Sequence, residues 1–295
     1  MDDNIGSVPA GPQDSAEAPV PGSGPAGDDG RAAPKHPFTL AVDIGGTGLK
    51  ASVLDADGAM VADRVKIPTP YPLPPDKLVA SLKRLVAPLP KAERASAGFP
   101  GMVRDGIVLS CPHFVTVDGP GTAVDPHLVP LWDKFDLASH LTREFGIPTK
   151  VANDADIQGA AVVKGVGLEL VITLGTGFGT GLFYNGELLP HLEIAHQPFR
   201  KGEDYDDQLG ETTRKDIGEE RWNKRVAKAI ANMRALTAFD HLYIGGGNSR
   251  RVARHHLPDD VTVVDNSAGI LGGIRLWVPL HSGNGADSDE SVATG

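Results

Sequence analysis

The 295-residue chain contains a single cysteine, Cys111, and no apolar run long enough to span a bilayer. One cysteine excludes an internal disulfide and any zinc site built from several cysteines, so we expect no zinc and a reducing, cytoplasmic setting. We expect no signal peptide and no membrane partner. The net charge of −10 argues against nucleic acid as a partner but leaves room for a local basic patch.

Both ends of the chain lack hydrophobic periodicity. Residues 1–37 are rich in Pro, Gly, Ala and Asp, and residues 281–295 have the same character. Such segments cannot bury enough apolar surface to offset the entropy of ordering, so we expect two disordered tails. The fold must therefore be built from residues 38–280.

Two stretches of this middle part show the same order of signals. Residues 42–47 end a strand-like run at glycines and lead, after a second strand, to the hairpin signal Asp57-Gly58. Residues 172–177 do the same and lead to Asn185-Gly186. The echo predicts an α/β fold of two similar βββαβα lobes, residues 38–150 and 151–280, with a cleft between them. The last helix can return to the first lobe. The alternative is a pair of unrelated glycine-turned hairpins.

Helical spacing and capping residues predict four helices. One covers residues 78–86, a second begins at the N-cap Asp136 and stops at Gly146, and two more cover residues 154–164 and 218–236. The last helix has an apolar stripe formed by Trp222, Val226, Ala229 and Met233. Its cations are either a track for a long polyanion or an ordinary solvated face balanced by glutamates. These cations are Arg221, Lys224, Arg225 and Lys228.

Three glycine turns can bring backbone N–H groups close to phosphate oxygens, because no Cβ intervenes. A tight hairpin and a β-bulge are the structural alternatives for the first two turns. The third follows a strand and precedes a helix, but it lacks the spacing of a dinucleotide fingerprint. Asp43 before the first turn can hold a hydrated Mg²⁺ against the phosphates. The candidate donor-binding residues are Asp43, Gly45, Gly46, Thr47, Lys50, Gly175, Thr176, Gly177, Gly245, Gly246 and Gly247.

Two polar pairs are candidates for the acceptor side of the reaction. Asp154, at a strand end, can take the proton from an attacking hydroxyl, and Asn153 beside it can orient a sugar. Helix capping is the alternative for both residues. Glu193 and His196 are three residues apart, a spacing that places them on one face of a helical turn and suits a polyhydroxylated ligand. A solvated surface pair is the alternative.

In this order, these pieces resemble the ROK family of sugar kinases and repressors, and within it the polyphosphate glucokinases. The most specific elements are Asp43-Ile44-Gly45-Gly46-Thr47, Gly98-Phe99-Pro100-Gly101, Asn153-Asp154-Ala155-Asp156, the glycine-rich residues 174–179, Glu193-Ile194-Ala195-His196 and Gly245-Gly246-Gly247. The resemblance implies an actin-like, ribonuclease-H-like fold. It implies that Asp154 is the general base, that Asn153, Glu193 and His196 hold the sugar, and that the glycine turns hold the donor with Mg²⁺. It also implies a homodimer.

The sequence departs from the family pattern in four features. The cysteine-rich zinc motif is absent, as in the polyphosphate glucokinases; the usual Glu-x-Gly-His is Glu-x-Ala-His; and residues 111–132 and 197–205 are unusual. Residues 1–37 cannot form the helix-turn-helix of the family's repressors. We therefore expect a kinase that uses polyphosphate, ATP or both and converts glucose to glucose 6-phosphate. Another hexose or amino sugar, or a non-catalytic sugar or phosphate sensor, is the alternative.

Overall fold

The computed structural model describes residues 34–264 and 272–277. Residues 1–33 of the predicted tail 1–37, and the whole predicted tail 281–295, lie outside this range. Two five-stranded sheets organise the described residues. Their strand orders are β3-β2-β1-β4-β7 and β10-β9-β8-β13-β14. In each sheet, an antiparallel meander of three strands is followed by two strands parallel to its first member. The duplicated arrangement confirms the predicted α/β fold of two similar lobes.

The first lobe contains the elements that end at the first sheet's last strand. They are β1 (Thr39–Ile44), β2 (Gly48–Leu54), β3 (Val65–Pro68), α1 (Pro75–Val86), β4 (Arg94–Phe99), β5 (Val103–Arg104), β6 (Ile107–Val108), α2 (Val129–Trp132), α3 (Leu137–Phe145) and β7 (Thr149–Asn153).

The second lobe has more short elements between its strands. They are α4 (Asp154–Ala160), β8 (Leu168–Leu174), β9 (Phe178–Tyr184), β10 (Glu187–Leu188), β11 (Pro198–Arg200), β12 (Glu203–Asp204), α5 (Tyr205–Leu209), α6 (Glu211–Ile217), α7 (Glu219–Thr237), β13 (His241–Gly245), β14 (Val261–Val263) and α8 (Gly272–Arg275).

Three boundaries differ from the sequence-based expectation. β7 pairs with β4, so the first sheet continues to Asn153 instead of ending at residue 150. The helix that begins at Asp154 ends at Ala160 rather than near Lys164, because Lys164 and Gly165 donate their N–H groups to the Glu169 side chain. Residues 34–37 are not free of contacts, since Lys35 pairs with Asp57 at 2.8 Å and its carbonyl accepts the N–H of Ala56 at 2.7 Å.

Each sheet packs its outer face on helices. Alternate residues of β1 and β2, such as Val42 and Leu49, join α1 and α3 in the first core, and Ile172 and Ile244 join α5 and α7 in the second. The inner faces of both sheets pack on α4, which contacts β4, β7, β8 and β9. The first sheet also packs on α8, which contacts β1 and β4. Gly159 permits the approach of α4, because a Cβ there would lie 2.7 Å from the Phe183 ring.

Local chemistry explains why α3 has the predicted bounds. The side chain of Asp136 accepts the N–H of Ser139 at 2.9 Å, and Gly146 ends the helix in the left-handed conformation at φ 69°. Leu137 and Leu141 are fully buried on one face. The prediction for α7 is confirmed in the same way, with Trp222, Val226, Ala229 and Met233 buried along the helix.

Candidate active site

The carboxyl ends of β1, β4 and β7 meet at one edge of the first sheet, and Asp154 lies there. Asp43 is in register with Gly98, and Phe99 with Asn153, so Asp43 and Asp154 flank the same edge. Gly98 allows the close approach, because a Cβ at this position would be 3.6 Å from the Cα of Asp154. The sheet therefore brings together a carboxylate from the first turn and a carboxylate from the start of α4.

Asp154 is surrounded by protein on most sides yet remains partly accessible. Burial raises the pKa of Asp154 to about 6, and the negative charges of Asp43 and Asp156 also raise it. The N–H of Ala155, which donates to the Asp154 carboxylate at 2.8 Å, lowers the pKa but does not outweigh burial. A carboxylate with a pKa near 6 is a better proton acceptor than an ordinary aspartate and is still ionised at neutral pH. These properties fit a general base.

Asn153 is the N-cap of α4. Its side-chain oxygen accepts the N–H of Ala155 at 2.7 Å, its amide donates to the carbonyl of Gly101 at 3.0 Å, and the residue is buried. The structure thus gives Asn153 the capping role that the sequence left open. Its contact with a sugar stays a prediction.

The first glycine turn is held from one side by its carbonyl groups. Thr69 and Tyr71 donate their hydroxyls to the carbonyls of Gly45 at 2.7 Å and Gly46 at 2.8 Å. Within residues 34–264 and 272–277, the N–H groups of Gly46 and Thr47 form no hydrogen bond. Donors with this freedom can take phosphate oxygens. Gly46 also packs under Pro120, where a Cβ would approach the ring to 2.7 Å.

The second glycine turn already holds an anionic group, the carboxylate of Asp206. Phe178 donates its N–H to Asp206 at 2.5 Å, and a Cβ on Gly177 would lie 2.7 Å from the second carboxylate oxygen. Burial raises the pKa of Asp206. Asp206 accounts for the glycine at position 177 without any phosphate. Gly175 and Thr176 are the more open part of this turn: a Cβ on Gly175 would meet nothing within 4 Å, and Thr176 is exposed.

The third glycine turn packs against the second. Gly246 has φ 84°, and a Cβ there would lie 2.6 Å from the backbone nitrogen of Leu174. Asn248 donates its N–H to the carbonyl of Leu174 at 2.8 Å and its amide to that of Gly175 at 2.9 Å. Gly246 is therefore required by packing. A Cβ on Gly245 would make only an ordinary contact with Val264 at 3.5 Å, and Gly247 is exposed and faces open space.

The segment with Glu193 and His196 is a loop with a turn, which corrects the expected helical turn. Gln197 donates its N–H to the carbonyl of Ile194 at 3.0 Å, and the carbonyl of Leu192 accepts the hydroxyl of Thr180 at 2.7 Å. The stretch lacks the continued i to i+4 bonds of a helix because it runs out to pair as β11. Glu193 is partly buried, and His196 is more than half exposed and lies 3.3 Å from Asp204.

Sequence reasoning missed His191, which lies buried between two carboxylates. Its Nδ1 donates to Asp156 at 3.0 Å, and its Nε2 lies 3.7 Å from Glu193, beyond hydrogen-bonding distance. Burial by itself would lower the pKa of His191, but Asp156 and Glu193 outweigh it and raise the pKa to about 9. The pair joins the Glu193 loop to α4. No local pattern links positions 156 and 191, so only the fold reveals the contact.

His113 also reaches the site, from the unusual segment 111–132. Burial lowers its pKa, and the charges of Asp206, His196 and Glu193 act on it. The same segment supplies Pro120, which covers Gly46. The segment therefore connects the first glycine turn to the loop of Glu193 and His196. The unusual sequence of this segment was the signal that could have drawn attention to it.

The cations on and near α7 are partly neutralised. Lys224 pairs with Glu220 at 2.8 Å, and Arg251 pairs with Glu219 at 3.1 Å. Arg225 donates to the carbonyl of Gln208 at 3.3 Å, and Lys228 lies over the Phe199 ring at 5.1 Å. These contacts favour the ordinary solvated face over the polyanion track.

Asp43 has the chemistry needed to place Mg²⁺. Its carboxylate is about half exposed and pairs with Lys50 at 2.9 Å. Mg²⁺ in phosphoryl-transfer sites is commonly held by one or two carboxylates together with water and substrate phosphates. A single accessible carboxylate at the mouth of the first turn fits that pattern.

Within residues 34–264 and 272–277, no helix combines the length and the apolar composition that a membrane-spanning segment needs.

Comparison with known proteins gives consistent matches. A sequence profile of the ROK family matches residues 39–192. The chain is 25% identical to the polyphosphate glucokinase of Mycobacterium tuberculosis over 253 residues, which cover 81% of this chain and 89% of that protein. It is 36% identical to the N-acetylmannosamine kinase of Escherichia fergusonii over 158 residues, which cover 51% of this chain and 49% of that protein.

Solved structures match over a similar length of the chain. The inorganic polyphosphate/ATP-glucomannokinase of Arthrobacter sp. strain KM aligns with a TM-score of 0.65 at 26% identity. The alignment covers 82% of this chain and 98% of that chain. Both lobes therefore have counterparts in one known molecule.

Proposed function

The chain belongs to the ROK family, and we propose that it transfers a phosphoryl group from polyphosphate or ATP to the C6 hydroxyl of glucose. It is a sugar kinase with the actin-like fold of that family. The single observation that carries the proposed chemistry is Asp154, a partly accessible carboxylate with a pKa of about 6, beside Asp43 and the open N–H groups of the first turn.

In the proposed mechanism, Asp154 removes the proton from the sugar hydroxyl as that oxygen attacks phosphorus. Phosphoryl transfer needs little covalent work from a protein, so positioning and charge neutralisation supply most of the rate. The N–H groups of Gly46, Thr47 and Thr176 hold phosphate oxygens. The N–H of Gly175 is not free for this role, because it donates to the carbonyl of Gly177 at 3.0 Å. Mg²⁺, placed through water by Asp43, would neutralise the charge on the donor.

The sugar is held, in this proposal, from the loop side. Glu193 accepts hydrogen bonds from sugar hydroxyls, and the neighbouring His191 lowers the pKa of Glu193, which keeps it ionised. His196 contributes from the exposed edge of the same loop. We expect Glu193→Ala and His196→Ala to raise the KM for sugar far more than that for the donor, because a hydrogen bond to a charged group is worth about 1.5–3 kcal/mol. A rise confined to the donor KM would move these residues off the sugar.

The direct test is a matrix of initial rates. Polyphosphate and ATP are each offered with glucose, mannose, fructose and N-acetylmannosamine, and the sugar phosphate is measured. Glucose is expected to give the highest kcat/KM, with polyphosphate used at least as well as ATP. If no sugar is phosphorylated by either donor, the chain is a sensor on a kinase fold.

An amino sugar is the second candidate acceptor. It is favoured by the 36% identity to an N-acetylmannosamine kinase, although this chain spans about half of that relative. The same matrix separates the two, since only one acceptor can give the highest kcat/KM. A homodimer in the cytoplasm is also part of the proposal, and light scattering on the purified protein tests the dimer.

A further inference from the structure

The inner face of the first sheet carries three cations next to the first glycine turn. Lys50 on β2 and Lys66 on β3 are directly opposite each other in the antiparallel pair. Arg64 lies two residues before Lys66, just ahead of β3, and therefore projects on the same side. Their neighbours Leu49, Val65 and Ile67 pack on the outer core. We refer to Lys50, Arg64 and Lys66 as the β2–β3 basic face.

This arrangement is unfavourable for the folded sheet alone. Like charges on directly opposite residues destabilise an antiparallel pair of strands, whereas opposite charges at the same positions stabilise it. Lys50 and Lys66 therefore repel each other where a lysine and a carboxylate would attract. Such an unfavourable pair is expected where a bound ligand offsets the repulsion. Here the ligand would have to carry negative charge.

Protein carboxylates supply little of that charge. Asp43 pairs with Lys50 at 2.9 Å. Within residues 34–264 and 272–277, neither Arg64 nor Lys66 forms an ion pair or a side-chain hydrogen bond, and both are exposed. The cations on α7 and α6 differ, because Lys224 and Lys215 each have a glutamate one turn away.

The basic face continues from the catalytic edge. Asp43, Lys50, Ser52 and Arg64 line one cavity on the inner side of the sheet. Residues on one face of a strand are spaced by about 6–7 Å. Lys50 and Arg64 are thus successive levels on a path that starts at the first turn and runs along the edge strand away from Asp154.

We propose that the β2–β3 basic face binds the phosphates of a linear inorganic polyphosphate that extend beyond the one being transferred. The proposal rests on the proposed function, because the first turn must hold the reacting end. A long chain gains attraction from every added cation along its path. ATP ends in an uncharged nucleoside after three phosphates, so it gains little from Arg64 and Lys66.

The test removes two positive charges while keeping polar, unbranched side chains at both positions. Arg64→Gln with Lys66→Gln is compared with Lys91→Gln plus Arg143→Gln, an equal loss of charge at exposed positions near or on the outer helices. Polyphosphate of defined long and short lengths and ATP serve as donors, at low and moderate salt. The inner-face variant is expected to lower kcat/KM for long polyphosphate at least tenfold, with ATP changed less than twofold. The decrease of kcat/KM for long polyphosphate with added salt should also be smaller in the inner-face variant than in the wild type.

Binding of long polyphosphate is measured in parallel by calorimetry without sugar. If no sugar is phosphorylated but the inner-face variant still loses polyphosphate affinity, the proposed function fails, while the assignment of the β2–β3 basic face as a polyphosphate-binding surface is supported. If the kinase is active and both variants lose equal affinity, or neither does, the inference is overturned. An equal loss for ATP and long polyphosphate also overturns it, because the face would then serve the reacting phosphates alone.

Discussion

The two glycine turns occupy equivalent places in two sheets of the same strand order, yet they are filled differently. The first turn is held through its carbonyls by Thr69 and Tyr71 and leaves the N–H groups of Gly46 and Thr47 open. In the second turn, an N–H is bound to the carboxylate of Asp206. Equivalent topology therefore gives one turn suited to binding anions and one turn that partly carries its own anion.

The largest expected effect concerns Asp154, the carboxylate that lies beside the first turn. Asp154→Asn should cut kcat by roughly 10²–10⁴-fold, because an amide cannot accept the sugar proton. Sugar affinity, measured by calorimetry, should stay close to that of the wild type. In the wild type, kcat should fall as pH drops through about 6, where Asp154 becomes protonated. Near-normal turnover by the variant would remove Asp154 from the mechanism.

A second comparison concerns glycines of the second lobe. Gly246→Ala should destabilise the protein by about 2–5 kcal/mol, since the residue has a positive φ and its Cβ would press on the Leu174 backbone. Gly175→Ala is the matched control and should stay within about 0.5 kcal/mol, because its Cβ would meet nothing within 4 Å. Denaturant unfolding measures both. Similar losses at the two positions would contradict the packing description.

The third prediction tests the charge of His191. Its folded pKa of about 9 lies above the unfolded value, so its stabilisation is complete below pH 6.5 and is lost as pH rises through 9. His191→Gln should lower Tm by several degrees at pH 6, and the difference from the wild type should shrink toward pH 9.5. The exposed His127→Gln is the control. A difference that is the same at every pH would show that His191 is neutral in the fold.

The smallest expected effect comes from Asp206 in the second turn. Asp206→Asn keeps an acceptor for the Phe178 N–H but removes a negative charge beside Gly177. Donor KM should therefore fall a few-fold while kcat and the KM for sugar change little, because like charge repels the donor phosphates. The effect is measured by comparing the KM for ATP and the KM for polyphosphate between the variant and the wild type. A higher donor KM would mean that the carboxylate assists the donor through the metal.

The sequence by itself determined what depends on neighbours along the chain. Asp136 and Gly146 fixed α3 because capping and a left-handed terminus are local backbone effects. The two glycine turns, one followed by Asp-Gly and the other by Asn-Gly, indicated the duplicated lobes, because turn formation also depends on local backbone conformation. Asp154 was also identified as the candidate base from its position between strand and helix.

Only the tertiary structure decided what each turn contacts. Asp206 fills the second turn from 28 residues away, and His191 meets Asp156 across 35 residues. β7 joined the first sheet because it pairs with β4, and the Glu193 loop did not form a helical turn because it leads into β11. Burial, which raises the pKa of Asp154, depends on atoms brought from the whole fold. Such contacts join residues that are far apart in sequence, so no local pattern specifies them.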